Sequence, residues 1–218
     1  MLRFCLHRRL NAISRIDFFI KMKGCNQLIP NYLTRYYVAG ENPFTSLNDL
    51  PLEDANAIKM MASDKYGWGG FYAQYDYLIH RREIEKWIYS ELSKKGGHPQ
   101  DDIPIYMFLG DCNGGFDKFG SDTTCLIIPI DALDLSSISF VWPDSMYEML
   151  VNDKGELTGE GRRTNTPKVF MYHELIEVVE RVNEFNSIKN RQVPFPASIE
   201  AQVWNRDMLE SWYKTQIQ

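Results

Sequence analysis

The sequence predicts one α+β domain in which a mixed or antiparallel central sheet is flanked by helices. Its 218 residues, 44% hydrophobic and 24% charged, are ordinary for a globular chain and sufficient for one sizeable core. Short segments rich in aromatic and β-branched residues alternate with longer segments of helical apolar spacing. Because no internal repeat or linker divides the chain, we expect a single domain over residues 25–218.

The first 24 residues differ in composition from the rest. They contain six basic residues and one acidic residue, whereas the whole chain has a formal net charge of −5. Ile13, Ile16, Phe19 and Ile20 have helical spacing. Three interpretations remain: an organelle presequence, a basic helix packed on the acidic body, or residues upstream of a true start at Met22. We favour the second and third together, since no small-residue cleavage site follows an apolar region.

A strand and then a helix are predicted to open the domain. Leu33–Val38 is rich in aromatic and β-branched residues, which favours a strand. Pro51 suits a first helical position, and two acidic residues follow it, so a helix is predicted from Pro51 to about Asp64. The residues that this helix is expected to bury are Ala55, Ile58 and Met61.

A longer helix is predicted from Phe71 to Lys95, with glycines before it and Gly96 and Gly97 after it. Its apolar stripe contains an arginine, because Arg81 lies four residues after Tyr77. An isolated buried charge is costly, so Arg81 should meet a carboxylate or an anionic ligand. The apolar members of the stripe are Tyr77, Ile84, Ile88 and Leu92.

The remaining elements complete the sheet and its helices. Periodicity predicts strands at Ile103–Leu109, Thr123–Ile130, Ile138–Trp142, Lys168–Met171 and Ile199–Trp204. It predicts helices at Pro143–Leu150, His173–Asn186 and Asp207–Lys214. Glycine-containing loops are expected at Gly110–Asp122 and Asn152–Thr166.

Charge, cysteine usage and hydropathy exclude several classes of protein. The net negative charge argues against a nucleic-acid partner, since phosphate binding requires a concentrated positive surface. The four cysteines form no C-x-x-C pair, which disfavours a metal knuckle or a disulfide scaffold and fits reduced thiols in a cytoplasmic protein. No apolar run approaches the length of a membrane span, so we expect a soluble protein without a membrane partner. The sequence indicates no particular cofactor.

The segment Tyr66–Trp87 is the densest in recognition chemistry, because aromatic planes beside arginines commonly hold flat or anionic ligands. Arg81, Arg82 and Tyr72 are the candidate ligand-binding residues in it. His80 lies at i+4 from an aspartate and at i−3 from a glutamate. The flanking arginines disfavour a metal there, so His80 is either a solvated residue or a general acid/base.

The late strand offers a second polar set. Glu200, Gln202 and Trp204 alternate with Ala201 and Val203, which places the first three on one face of the strand. A carboxylate, an amide and an indole on one face could line a cleft. Glu200 is therefore the candidate catalytic acid or base of this strand, and Gln202 and Trp204 are candidate ligand-binding residues.

Four sequence blocks carry a resemblance that covers about Tyr32 to Trp212. They are GENPFTSLNDLP, IYMFLGD, WPDSMYE and IEAQVWN. Together they resemble a family of uncharacterised bacterial proteins with no assigned activity. The first 24 residues fall outside this resemblance, which agrees with a start at Met22.

A more remote likeness is to ADP-ribosyltransferase-like folds, in which an early Arg or His and a late Glu grip NAD. It implies that Arg35 contacts the dinucleotide, that Tyr36 or Tyr72 stacks on nicotinamide, and that Glu200 stabilises the developing oxocarbenium. The chain departs from that pattern, since the Ser-Thr-Ser middle motif is absent and Gln202 stands where many members have another acid.

Three functional hypotheses follow. The first is a small intracellular enzyme or ligand-binding protein that acts on an anionic, nucleotide-like compound, with Arg81 or Arg82 as anion clamp and Glu200 as acid/base. The expected cleft draws on the long helix, the Gly110 loop and the Glu200 strand. The second is a non-catalytic protein-interaction module whose aromatic residues are mainly core. The third is an NAD-dependent ADP-ribosyltransferase-like enzyme.

Overall fold

The computed structural model describes residues 19–21, 28–66, 76–110, 122–142, 145–146, 168–180 and 198–217. Its strands are β1 (Phe19–Lys21), β2 (Leu28–Pro30), β3 (Tyr32–Val38), β4 (Ile105–Leu109), β5 (Thr123–Pro129), β6 (Ile138–Trp142), β7 (Lys168–Phe170) and β8 (Glu200–Val203). Its helices are α1 (Leu52–Tyr66), α2 (Tyr77–Lys94), α3, which includes residues 175–180, and α4 (Arg206–Gln216).

Six of these strands form one sheet in the order β5-β3-β4-β8-β6-β7. Every neighbouring pair in it is antiparallel. The prediction of an α+β fold is therefore confirmed, and of the two predicted sheet types the antiparallel one is present.

The strand that comes last in the chain, β8, lies in the interior of the sheet. It pairs with β4 through Phe108↔Glu200 and with β6 through Val141↔Glu200. Beyond the strand, the Trp204 amide donates to the Ser137 carbonyl at 2.9 Å. Among the described strands, β8 thus joins the two halves of the sheet.

One face of the sheet packs on α3 and α4. Alternate residues of the central strands point into this core because successive side chains of a strand project to opposite faces. The helices contribute Leu175, Val178, Val179 and Leu209. The strands contribute Leu33, Ile105, Met107, Leu109, Ile128, Ile138, Phe140, Ala201 and Val203.

The other face packs on α2. Ile88 and Leu92 are fully buried against Val141, Val169 and Trp204. The apolar stripe predicted for this helix is confirmed, and so is the alternation predicted for β8, since Trp204 lies on this side while Ala201 and Val203 lie on the other.

Helix α1 does not bury the predicted face. Ala55 is buried as expected, but Ile58 is 46% exposed and Met61 is 71% exposed. The inward face is mainly polar instead, and it consists of Ala55, Asn56, Lys59 and Ser63. Ile58 forms part of a cleft wall, which explains its exposure. The prediction for Ile58 and Met61 was therefore wrong.

The other sequence predictions are met to different extents. Phe19–Lys21 is a strand paired with Leu28–Pro30, so the helix predicted there is wrong over these three residues. Helix α2 is described from Tyr77, and the predicted start at Phe71 lies outside the described residues. Most of the predicted Gly110–Asp122 and Pro143–Leu150 segments, and all of Asn152–Thr166, also lie outside them. No described helix has the length and apolarity needed to cross a membrane.

Candidate functional site

A cleft of about 790 Å³ opens between β3, α1, α2 and the segment that joins β3 to α1. Tyrosine side chains from the sheet and from α2 form much of its wall, and polar side chains lie among them. The described residues that line it include Arg35, Tyr36, Tyr37, Asn48, Ile58, Ala62, Tyr77, Leu78, Arg81, Glu85 and Tyr106. A volume of this size is typical of a site for a small organic molecule.

The connecting segment, residues 41–50, forms one wall and is called the strap. Phe44 anchors it in the core, where it is 1% exposed and packs edge-on against Tyr213 at a ring-centre distance of 5.7 Å. A short 3-10 turn at Leu47–Asp49 is capped by Ser46, whose side chain accepts from the Asn48 amide. The strap is thus a folded wall with its own local structure.

Arginines hold the strap against the body of the protein. Arg82 donates from Nη2 to the Leu50 carbonyl at 2.9 Å. Arg206 of α4 pairs with Asp49, with Nη2 and Oδ1 2.7 Å apart. The position of this wall therefore depends on side chains from two helices.

Arg35 of β3 makes the most extensive of these attachments. Its Nε donates to the Pro43 carbonyl at 2.8 Å, its Nη2 to the Thr45 carbonyl at 2.9 Å, and its Nη1 to the Tyr106 carbonyl at 2.9 Å. Burial and then the charge of Arg81 lower the pKa of Arg35 to about 10, so the group remains charged at neutral pH.

Glu85 of α2 is 3% exposed at the inner end of the cleft. The Asn48 Nδ2 donates to both carboxylate oxygens, at 2.8 and 2.7 Å. Burial raises the pKa of Glu85, although the Arg81 charge and the Asn48 hydrogen bonds act in the opposite direction. The strap and α2 are thus joined by a buried carboxylate.

Arg81 lies between Glu85 and the ring of Tyr106. Its Nε is 3.5 Å from Oε1 of Glu85, and its Cζ is 3.5 Å from the centre of the Tyr106 ring. Burial disfavours its charge, but the neighbouring acidic groups, Tyr106 and Glu200 among them, outweigh burial and raise its pKa. The prediction that Arg81 meets a carboxylate is therefore confirmed.

The terminal nitrogens of Arg81, Nη1 and Nη2, do not share the contact that Nε makes with Glu85. Within the described part of the chain, Nη1 and Nη2 make no hydrogen bond by distance and angle, and the side chain remains 15% exposed. Arg81 lines the cleft, and a guanidinium has five N–H groups, so this side chain has donors for a molecule bound there.

Glu200, Gln202 and Trp204 belong to a buried network behind the cleft. The Gln202 Oε1 accepts from the Ser139 hydroxyl at 2.9 Å, and Ser139 Oγ in turn accepts from the Trp204 indole at 2.9 Å. Glu200 Oε2 accepts from the Ser145 amide at 3.2 Å. None of the three predicted residues is among the described residues that line the cleft, but Glu200 acts on Arg81 through its charge.

The other predicted site residues are dispersed. Arg82 binds the strap backbone, as described above. His80 lies on the exposed side of α2, where its Nε2 is 3.3 Å from Asp76 Oδ2 and its Nδ1 is 3.3 Å from Glu83 Oε2. Tyr72 lies outside the described residues. In the described ranges, no three His, Cys, Asp or Glu side chains come together as a metal site would require.

For the third hypothesis the decisive pair is Arg35 and Glu200. Thr34 pairs with Phe108, and Phe108 pairs with Glu200, so the side chains of Thr34 and Glu200 project from one face of the sheet. Because side chains alternate along a strand, the side chain of Arg35 begins on the opposite face. Arg35 is also engaged by three backbone carbonyls. Arg35 thus holds the strap, and Glu200 accepts from the Ser145 amide.

Sequence reasoning missed Asn48, Glu85 and Tyr106. Glu85 could have been found, because it follows Arg81 by four residues on one helix, which is the spacing of an intrahelical ion pair. Asn48 and Tyr106 gave no such signal, since they reach the cleft from a turn and a strand distant in sequence.

The fold and the site together define an α+β protein with one described polar cleft next to its antiparallel sheet. Comparison of the chain with protein-family models, with curated proteins and with solved structures finds no match. The function must therefore be inferred from the cleft.

Proposed function

We propose that the protein binds a small anionic ligand that carries a flat ring, with Arg81 as the anion clamp. The observation that supports this most directly is the guanidinium of Arg81, a residue that lines the cleft, is 15% exposed, and meets Glu85 through Nε and not through its terminal nitrogens. An anion could accept from several of its N–H groups at once, and such charge-assisted hydrogen bonds are stronger than those between neutral groups.

The aromatic part of the ligand is inferred from the cleft walls. Tyr36, Tyr37, Tyr77 and Tyr106 line the same space as Arg81. Tyrosine rings supply flat apolar surface with a polar edge, which suits a planar ring system. A nucleotide or an aromatic acid combines both features.

The experiment compares ligands that differ only in charge. Thermal unfolding is followed with adenosine 5′-monophosphate against adenosine, and with benzoate against benzyl alcohol. A ligand at 100 times its Kd stabilises the native state by about 2.7 kcal/mol, so binding raises the Tm visibly. We expect the charged member of at least one pair to raise the Tm and the neutral member to leave it unchanged.

Matched variants locate the binding. Arg81→Lys keeps the charge but loses the planar fork, and Ala62→Phe fills the cleft from α1. Both should weaken binding. Lys86→Gln removes an exposed charge from the same helix and should not. Equal binding of charged and neutral ligands, or equal loss in Lys86→Gln, would contradict the proposal.

A second candidate is a protein-interaction module, which an exposed apolar face of α1 beside the cleft favours. Ile58, at the cleft wall, and Met61 lie one helical turn apart and are 46% and 71% exposed. Exposed apolar side chains on one helix face are typical of contact surfaces. Met61→Glu would abolish binding of a protein partner in a pull-down experiment but leave anion binding in the cleft unchanged.

A further inference from the structure

Two arginines line the cleft, and their arrangement indicates the chemical class of the anion. We propose that the anionic group is a phosphoryl monoester held between Arg35 and Arg81. This inference rests on the proposed function, and it names the ligand class of the same site.

Both guanidinium groups contact one residue of β4. Arg35 Nη1 donates to the Tyr106 carbonyl at 2.9 Å, and Arg81 Cζ lies 3.5 Å from the centre of the Tyr106 ring. Both arginines also line the cleft. Burial and then the charge of Arg81 lower the pKa of Arg35, so the two cations oppose each other.

The guanidinium groups of Arg35 and Arg81 both retain N–H donors. A guanidinium has five N–H groups, and Arg35 uses three of them on backbone carbonyls. Arg81 directs Nε at Glu85 and keeps its terminal N–H groups. Two cations that retain N–H groups therefore line the same cleft.

The carboxylate of Glu85 does not use the terminal N–H groups of Arg81. Both of its oxygens accept from Asn48, and its contact with Arg81 is on the Nε side. Its carboxylate thus contacts Arg81 at Nε. The other charged group that acts on Arg81, Glu200, is not among the described residues lining the cleft.

The charge and the number of acceptors favour phosphate over carboxylate. A carboxylate carries one charge and is matched by the fork of a single arginine. A phosphoryl monoester carries a charge of about −1.5 to −2 at pH 7 and three acceptor oxygens. Two repelling cations with spare donors are better neutralised by the second group.

Isothermal titration calorimetry at pH 7 and low salt tests the inference with phenyl phosphate, benzoate and benzyl alcohol, which share one ring. We expect phenyl phosphate to bind at least about tenfold more tightly than benzoate, a difference of about 1.4 kcal/mol. Arg81→Lys and Ala62→Phe should each remove most of this difference, while Lys86→Gln should retain it.

The outcomes separate the two claims. If benzoate binds as tightly as phenyl phosphate, the phosphoryl inference is overturned and the anion site stands. If no anion binds better than benzyl alcohol at millimolar concentration, both the inference and the proposed function are overturned. A phosphate preference that persists in both cleft variants would place the site elsewhere and also overturn the inference.

Discussion

At the scale of single residues, charged side chains replace backbone pairing where the sheet meets the strap. Strands β3 and β4 pair at Leu33 and Thr34, and the next residue, Arg35, sends its side chain to the Tyr106 carbonyl. The same guanidinium holds two carbonyls of the strap. A residue expected to contact a ligand thus also stabilises the wall of the cleft.

Arg35→Lys should therefore destabilise the fold. Lysine retains the charge but cannot donate to three carbonyls arranged around a planar fork. Hydrogen bonds to charged groups contribute about 1.5 to 3 kcal/mol each, so we expect a loss of about 3 kcal/mol in the free energy of unfolding. Urea unfolding measures it, with the exposed Lys86→Gln as control. A change below about 0.5 kcal/mol would mean that these bonds add nothing.

Glu85 should make stability depend on pH. Its folded-state pKa is raised, so the native state binds more protons than the unfolded state between the ordinary carboxyl pKa and the raised value. Stability from this group is present below the ordinary pKa and is lost as pH rises through the folded one.

Glu85→Gln removes this dependence. The free energy of unfolding of the wild type, measured relative to the variant, should fall as pH rises through that window. Glutamine keeps an oxygen that can accept from Asn48, so the fold has a replacement for one of the present hydrogen bonds. A constant difference between the two proteins from pH 4 to 8 would show that Glu85 does not titrate in this way.

At the scale of elements, α1 is a helix whose polar side faces inward. Asn56, Lys59 and Ser63 are buried, and successive members lie three or four residues apart. Lys59 Nζ is 5.7 Å from the centre of the Tyr77 ring, which is a cation–π contact. Apolar periodicity therefore misidentifies the packed face of this helix.

A matched pair of substitutions checks the orientation of α1. Met61→Lys should change the free energy of unfolding by less than about 0.5 kcal/mol, because the side chain is exposed. Ala55→Leu should cost about 1 to 3 kcal/mol, because it overpacks a fully buried position. The reverse order in a urea titration would show that the apolar face is the packed one.

At the scale of the whole molecule, we expect cooperative unfolding to depend on the C-terminal segment. β8 separates β4 from β6, so the sheet is continuous only when this late strand is in place. Its pairing with β4 spans a large sequence separation, and such contacts form slowly in folding. We expect the cleft to depend on β8 as well, because Tyr106, which lines the cleft, pairs with Gln202 of β8.

Removal of residues 198–218 should therefore abolish cooperative unfolding. The truncated chain would have two sheet fragments, β5-β3-β4 and β6-β7, and would expose the cores on both faces. Circular dichroism during urea titration should show no sigmoidal transition. Removal of only Ile217 and Gln218 is the control, since Ile217 is 67% exposed. A cooperative transition in the longer truncation would contradict the role assigned to β8.

Much of the fold could be predicted from local patterns, and part of the site could as well. The strand at Lys168–Phe170 and the helix stop at Gly96 follow from composition and turn chemistry within a few residues. The pairing of Arg81 with an acid followed from the cost of burying a lone charge. The strap could not be predicted, because its position depends on Arg82 and Arg206, which are far from it in the chain.

The sequence by itself determined which segments form strands and helices over most of the described chain, and that one arginine of the long helix needs an acidic partner. Periodicity and burial costs act over a few residues and can be read locally. Only the tertiary structure decided that Gln202 and Trp204 are internal, that Arg35 and Arg81 share a cleft, and that α1 turns its polar side inward. These depend on strand order and on which surfaces meet, and such contacts join residues that no local pattern connects.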